Sequence, residues 1–436
     1  GCCNIQRRTS FPAPVSIPNT IREMKTAGFW TAKIENPDKI ILDVKAIEEL
    51  DTKIEKELNL IINPLNEPLS RNGKRLKANL QKEIENFSKQ KLYTANRKLA
   101  DESFYAPIEQ NMNLSRIEDK FNASFGFLTH YDNQRLIPID ELLTKEPGDY
   151  EFDELQNSSL DLGTPLIILH TSKDGLWVYA QAPSSSGWFK KERVALCGPG
   201  EFKELLSGKN FIVVTSAKAD IFLDESLTKY YDYVRMGAKF TFNETANSKV
   251  FEIIIPAVTQ EGKFLAQKAY IKKGDANAGF LAYTARNTIE QAFKLINSPY
   301  GWGGAAGEQD CSSYMQEIFA TVGITLPRNS GAQAKTGMPL GSFKGGSEIE
   351  EKLKIIKQKA VPGITIFQLK GHVVLYIGMH KNAPYVIHET HGYGQKIDSE
   401  NISWIVNRVI VSDLSLGQGS KKGSLASRIV NIRIIK

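Results

Sequence analysis

Six histidines and four cysteines are few for a chain of 436 residues. The cysteines are Cys2, Cys3, Cys197 and Cys311, with no CxxC spacing and no metal-ligand rhythm with the histidines. A zinc site is therefore not expected, and nothing in the pattern asks for a metal or an organic cofactor. No apolar run reaches the ~18 residues that a membrane span requires. Charge of one sign is also lacking: 55 Lys and Arg stand against 49 Asp and Glu, a net +6. That mild excess suits contact with an anionic polymer or surface without demanding nucleic acid. No Lys/Arg stripe interleaved with aromatics, zinc knuckle or recognition helix is present, so nucleic acid is not expected as a partner. What remains is an ordinary globular composition, 41% hydrophobic and 24% charged, long enough for about two to four domains.

The chain reads as five stretches. Residues 1–20 carry three prolines and no periodicity, as a linker does. Cys2, standing near the start before a polar, Pro-rich segment, fits the lipid-carrying cysteine of a bacterial lipoprotein whose signal peptide has been removed; an arbitrary start point is the other reading. Residues 21–118 are expected to be mostly helical. Ile41, Val44, Ile47, Leu50, Ile54, Leu58 and Ile61 recur three and four apart, and after Pro64 and Pro68 so do Leu76, Leu80, Ile84 and Phe87. From about 119 short β-like runs take over, enough for two small barrels, at 119–200 and 201–280. Leu166–His170 and Leu176–Gln181 are expected to pair around the turn SKDG, and Ser184–Gly187 forms a second turn before Trp188. Trp177-Val178-Tyr179-Ala180 followed by Gly187-Trp188-Phe189 resembles the bacterial SH3 domain. Trp177 and Trp188 are read as core residues of such a barrel. Residues 281–436 form a last domain, helices first and strands after, an α+β layer. Thr288 and Gln291 are expected to cap its first helix.

The chemistry concentrates in that last domain. The stretch YGWGGAAGEQDCSSY sets Cys311 between a glycine-rich loop and an amphipathic helix striped by Tyr314, Ile318, Phe319 and Val322. A thiol has an ordinary pKa near ~8.5, and a helix N-terminus favours its thiolate and offers backbone N–H groups to an oxyanion. Cys197, in VALCGPG, has no such setting. A base is supplied by His372, which opens the apolar strand HVVLYIG. His388 ends the next strand, sixteen residues on, which fits one hairpin and allows it to orient the His372 imidazole. Glu389 and His391 are two further candidates for the orienting role.

Taken together, Tyr300-Gly301-Trp302-Gly303-Gly304, Asp310-Cys311-Ser312-Ser313, Gly371-His372-Val373-Val374-Leu375-Tyr376-Ile377-Gly378 and Ile387-His388 resemble the ordered signatures of the NlpC/P60 family of cell-wall cysteine peptidases, over about residues 280–436. The upstream stretches resemble the multidomain members, with an N-terminal clip-like segment and two bacterial SH3 domains. The resemblance implies a papain-like fold with Cys311 as nucleophile, His372 as general base and His388 as orienting residue. It implies Tyr300 beside the cysteine near the oxyanion, and Asp310 and Ser312 holding the substrate's N-terminal amine and D-glutamate. Ser313 replaces the family's usual glycine, and Val374 replaces another. The implied reaction is hydrolysis of the γ-D-glutamyl–diamino acid bond of peptidoglycan stem peptides through a thioester. An N-acetylmuramoyl-L-alanine amidase, an acyl transferase on the same plan, and a non-catalytic wall-binding protein are the alternatives. An exported monomer, periplasmic or in the cell envelope, is expected.

Overall fold

The computed structural model describes residues 10–344 and 348–436. Cys2, Cys3 and the start of the expected tether lie outside the described residues. The chain forms two compact units: one runs to Leu58 and resumes over 281–300 and 308–436, and the other holds residues 59–280 and 301–307.

The first unit is built on a seven-stranded sheet in the order Ser10–Pro12, Glu400–Asp413, Ala383–Ile397, His372–His380, Thr365–Leu369, Ile429–Ile434, Met338–Ser342. Neighbours are antiparallel except at one edge, where Ser10–Pro12 lies parallel to Glu400–Asp413. The expected strands are present, and Met338–Ser342 and the helix Ile349–Lys359 are additions to them. Strand His372–His380 is apolar at almost every position because both faces of the sheet are covered. Val374 and Tyr376 pack in one core with Ile356 of the helix Ile349–Lys359. The helix Cys311–Ala320 lies against the strands His372–His380 and Ala383–Ile397. Tyr314 Oη donates to Ala292 O at 3.0 Å and ties that helix to Ala285–Lys294. The cap of Ala285–Lys294 is Thr284, whose side chain accepts from Asn287 N; Thr288 lies inside the helix and bonds back to Thr284 O and Ala285 O. The Thr288/Gln291 cap is thus displaced by one helical turn, because a hydroxyl of the same type stands four residues earlier.

The expected mostly helical region 21–118 is divided between the units. Its first part, up to Leu58, belongs to the sheet domain, and even the stretch read as a linker is bound there from Ser10 onward. Ala13 N donates to Ile405 O at 2.8 Å, and Ile17 enters the core. Trp30 is 0% exposed, donates to Met24 O at 2.9 Å and stacks 5.2 Å from Tyr385. Gly378, whose φ of 136° favours glycine, lies against the same ring. The helix here covers only Val44–Lys56, so the long stripe breaks up: Leu50 and Ile54 are buried while Val44 is 73% exposed.

In the second unit, Leu76, Leu80, Ile84 and Phe87 of helix Gly73–Ser88 form the expected apolar face and pack with Tyr105, Ile108, Trp177 and Trp188. Both tryptophans are core residues. Two seven-stranded sheets follow, over 124–197 and 211–278. In the first, Pro165–Thr171 pairs with Trp177–Gln181, which pairs with Ser186–Lys190, as the turn signals require.

If the N-terminal segment is integral to the first unit, Trp30→Ala should cost ~3–5 kcal/mol of unfolding free energy, the range for emptying a buried aromatic site. Urea denaturation measures this, and a loss under about 1 kcal/mol would show that the segment is only laid on the surface.

Candidate active site

The loop before Cys311 turns through four left-handed residues: Gly303, Gly304, Ala306 and Gly307 have φ of 60°, 79°, 58° and 73°. Glycine is needed at three of them for space as well, since a Cβ on Gly303 would run into the backbone carbonyl of Gln156, one on Gly304 into Ser159 Oγ and one on Gly307 into Tyr233 Oη. Residues 301–307 belong to the second unit and are held by its side chains. Trp302 Nε1 donates to Asp153 O at 3.0 Å, Gln156 Nε2 to Gly303 O at 3.2 Å, and Ser159 Oγ and Tyr131 Oη both to Gly304 O at 2.8 Å. Gly307 N returns a bond to Tyr131 Oη at 3.1 Å. The glycine-rich motif is thereby a fitted turn rather than a flexible one.

Within the first unit, Asp310 ends the loop in an extended conformation and caps the helix Cys311–Ala320. Its Oδ1 accepts from Ser312 N at 3.0 Å and Ser313 N at 2.9 Å, while Asp310 N donates to Ser313 Oγ at 2.9 Å. This is a reciprocal cap in which serine takes the place of the usual Glu or Gln. It accounts for Ser313 where the family pattern has glycine. Arg328 completes the arrangement. Its Nη2 reaches Asp310 Oδ2 at 2.6 Å, and its Nη1 reaches Asp310 Oδ1 at 3.2 Å and Ser312 Oγ at 2.9 Å. Gln333 Nε2 then donates to Ser312 O and Pro327 O, both at 2.9 Å. Burial pushes the Asp310 carboxyl up, but the Arg328 charge and the cap bonds outweigh it and hold the group below the usual carboxylate range.

Cys311 is 9% exposed, at the first position of this helix. The backbone N–H of Val373, next to His372, is directed at its thiol. His372 Nε2 lies 2.9 Å from His388 Nδ1, and His388 Nε2 lies 3.1 Å from Ser412 Oγ. With Nε2 of His372 engaged by His388, Nδ1 is the nitrogen left for a reacting group. If His372 donates through Nε2–H, His388 donates through Nε2–H to Ser412 and His372 Nδ1 carries the lone pair of a base.

Burial pushes the Cys311 thiol up to about 12, with the Asp310 charge adding to it and the Val373 N–H and Arg328 opposing. Burial pulls His372 down to about 3, reinforced by Arg428. His388 is held well below its ordinary value by burial and then by His372 and Arg428. The resting pair is a neutral thiol and a neutral imidazole. The helix terminus alone does not make a thiolate here, because desolvation outweighs it. Burial, with the Asp310 charge adding to it, keeps the Tyr300 phenol protonated and able to donate.

The two other orienting candidates are placed elsewhere. His391 stacks edge-on against Tyr300 at 6.1 Å. The Glu389 side chain is fully buried, and neither carboxyl oxygen has a partner among the described residues. Sequence reasoning missed Arg328, Gln333 and Ser412. Arg328 stands in an LPR tripeptide after the helix and Ser412 in a strand, and neither position has a local signal that points at Cys311 or His388.

Glu389 gives a pH test. Burial, then Glu308, Asp310 and Glu317, raises its carboxyl to about 10. The folded chain therefore keeps a proton that the unfolded chain releases above about pH 4.3. Stability from this group falls as pH rises from there toward about 10. Glu389→Gln keeps the shape and removes the titration. Between about pH 6 and pH 9 the variant should lose less melting temperature than the wild type, and equal losses would show that Glu389 is already ionised.

Residues 297–410 match the NlpC/P60 family, and residues 143–190 match the SH3 domain of the SH3b1 type. The chain is 24% identical over 200 residues to a gamma-D-glutamyl-L-lysine dipeptidyl-peptidase of Bacillus subtilis, covering 41% of this chain and 59% of that one. It is 33% identical over 129 residues to the Bacillus cereus protein of the same name, covering 26% and 33%. With the probable endopeptidase p60 of Listeria monocytogenes it shares 34% over 95 residues, 21% and 16% of the two chains. These matches span less than two thirds of each relative. An NlpC/P60 endopeptidase structure from Photobacterium damselae subsp. piscicida superposes with a TM-score of 0.75 at 17% identity, covering 98% of this chain and all (100%) of that one. An NlpC/P60 family protein from Bacillus cereus gives 0.51 at 17%, covering 72% and 99%. At such identities the likeness is one of fold.

Proposed function

We propose that this chain, which carries an NlpC/P60 family domain and an SH3b domain, is a cysteine endopeptidase of the bacterial cell wall, cleaving the γ-D-glutamyl–diamino acid bond of peptidoglycan stem peptides. The observation that carries the reading is the relay from Ser412 through His388 to His372, alongside a buried cysteine at a helix start. Packing alone has no use for two imidazoles bonded to each other beside a thiol. The names of the Bacillus relatives support the choice of bond.

In this mechanism His372 Nδ1 takes the Cys311 proton as the sulfur attacks the γ-glutamyl carbonyl carbon. The resulting oxyanion is met by the Cys311 backbone N–H and the Tyr300 hydroxyl. His372 passes the proton to the departing amine, the C–N bond breaks, and a thioester remains. Water, deprotonated by His372, releases the acid and restores the thiol. His388 does not react; it fixes the His372 ring and its tautomer, and Ser412 does the same for His388. Asp310 and Ser312 line the substrate side of the nucleophile as the resemblance implies, Asp310 as one half of an ion pair with Arg328. No metal enters any step. A wall substrate places the protein outside the inner membrane, and lipidation at Cys2 would hold it there; among the described residues no helix is long and apolar enough to cross a membrane.

The test is one mass-spectrometric digest of free L-Ala-γ-D-Glu-diaminopimelate tripeptide and of intact sacculi, by wild type and Cys311→Ala. Cys311-dependent release of L-Ala-γ-D-Glu is expected, and release by both proteins, or by neither, refutes the reading. His388→Ala should lower kcat by roughly 10–100-fold, the scale of losing a partner that orients a reacting group and does not itself react. Ser412→Ala should lower it less, by about threefold to tenfold, the worth of one hydrogen bond. A Ser412→Ala loss as deep as that of His388→Ala would show that Ser412 does more than orient. EDTA should leave the rate unchanged.

A further inference from the structure

An aspartate immediately before a nucleophilic cysteine poses an electrostatic problem. As a cap, Asp310 is well chosen: its oxygen satisfies two otherwise orphaned N–H groups of the helix. As a charge, it stands beside the atom that must become a thiolate, and it raises the thiol. Of the two carboxyls that act on Cys311, Glu389 is neutral, so Asp310 is the ionised one. Tyr300 adds no charge because its phenol stays protonated. His372, next to the Val373 whose N–H is directed at the thiol, is neutral at rest.

Resting on the reading of Cys311 as nucleophile, we propose that Arg328 is a positioning residue for the reaction: its guanidinium cancels the Asp310 charge next to Cys311 while leaving that carboxylate in place as the helix cap. The geometry is specific to arginine. One Nη bonds Oδ2, the other bonds Oδ1 and Ser312 Oγ, and a lysine ammonium could not span all three in one plane. Asp310, Arg328 and Ser312 are all buried, so the compensation acts where water screens little. The fork is braced from behind, since Gln333 bonds both Pro327 O, next to Arg328, and Ser312 O on the helix.

The proposal is tested on the thiol itself, in the full chain. Iodoacetamide labelling of Cys311 is followed by peptide mass spectrometry, which separates it from the other cysteines. At neutral pH, Arg328→Met should slow labelling at least about tenfold, the change that one pKa unit produces in a group titrating above the assay pH. Adding Asp310→Asn, which removes the charge but keeps the cap acceptor, should restore most of the rate. Labelling of Arg328→Met at the wild-type rate, or a double variant as slow as the single one, overturns the proposal and leaves Arg328 a merely structural residue. If Arg328→Met does not fold, Arg328→Lys takes its place. It keeps the charge without the fork, so labelling should stay within about threefold of wild type while kcat falls; slow labelling of Arg328→Lys overturns the proposal. Peptide cleavage that survives Cys311→Ala would instead refute the function on which the proposal rests.

Discussion

The candidate site depends on one buried carboxylate. Asp310 ends the loop, starts the helix, fixes Ser312 and Ser313, and receives Arg328. Each partner restrains a different coordinate of Cys311. The cap bonds set the phase of the helix, and with it the direction of the thiol. The bond from Asp310 N to Ser313 Oγ fixes the angle at which the chain enters. A buried ion pair adds little stability, because desolvating two charges offsets most of their attraction. Its worth lies in geometry, since it holds the helix start at one fixed place.

How much of this was legible in the sequence depended on the range of the interaction. The placement of Cys311, His372 and His388 on a helix start and two paired strands was legible from periodicity and from the one-hairpin interval between the histidines. The face Leu76, Leu80, Ile84, Phe87 was legible because local period determines burial, and Trp177 and Trp188 because their motif resembles a small barrel whose tryptophans sit in the core. Arg328, Gln333 and Ser412 were not. Each acts through a contact made by tertiary packing, and a polar residue in a loop or strand carries no sign of which partner it will meet. The stripe from Ile41 to Ile61 shows the reverse failure: periodicity continued past both ends of the real helix, and Val44 faces solvent. The residues up to Leu58 read as helical, correctly in part, but periodicity says nothing about which core a helix joins.

Conformation and function meet in the YGWGG turn. Its glycines permit left-handed backbone, and the absence of Cβ atoms lets the Ser159 and Tyr233 side chains come close. Tyr131, Gln156 and Ser159 then bond its carbonyls. A turn anchored at so many points keeps little conformational freedom of its own.

The sheet domain is assembled from chain segments that are far apart, with residues 59–280 inserted between them. During synthesis, Trp30 emerges long before Tyr385, the ring it packs against. The edge strand Ser10–Pro12 likewise waits for Glu400–Asp413. The inserted residues need no segment after Gly307, whereas the sheet domain closes only when strands Glu400–Asp413 and Ile429–Ile434 arrive. Such high contact order makes the last step slow. It also orders the candidate site, since the helix that carries Cys311 is made before the strands that carry His372, His388 and Ser412.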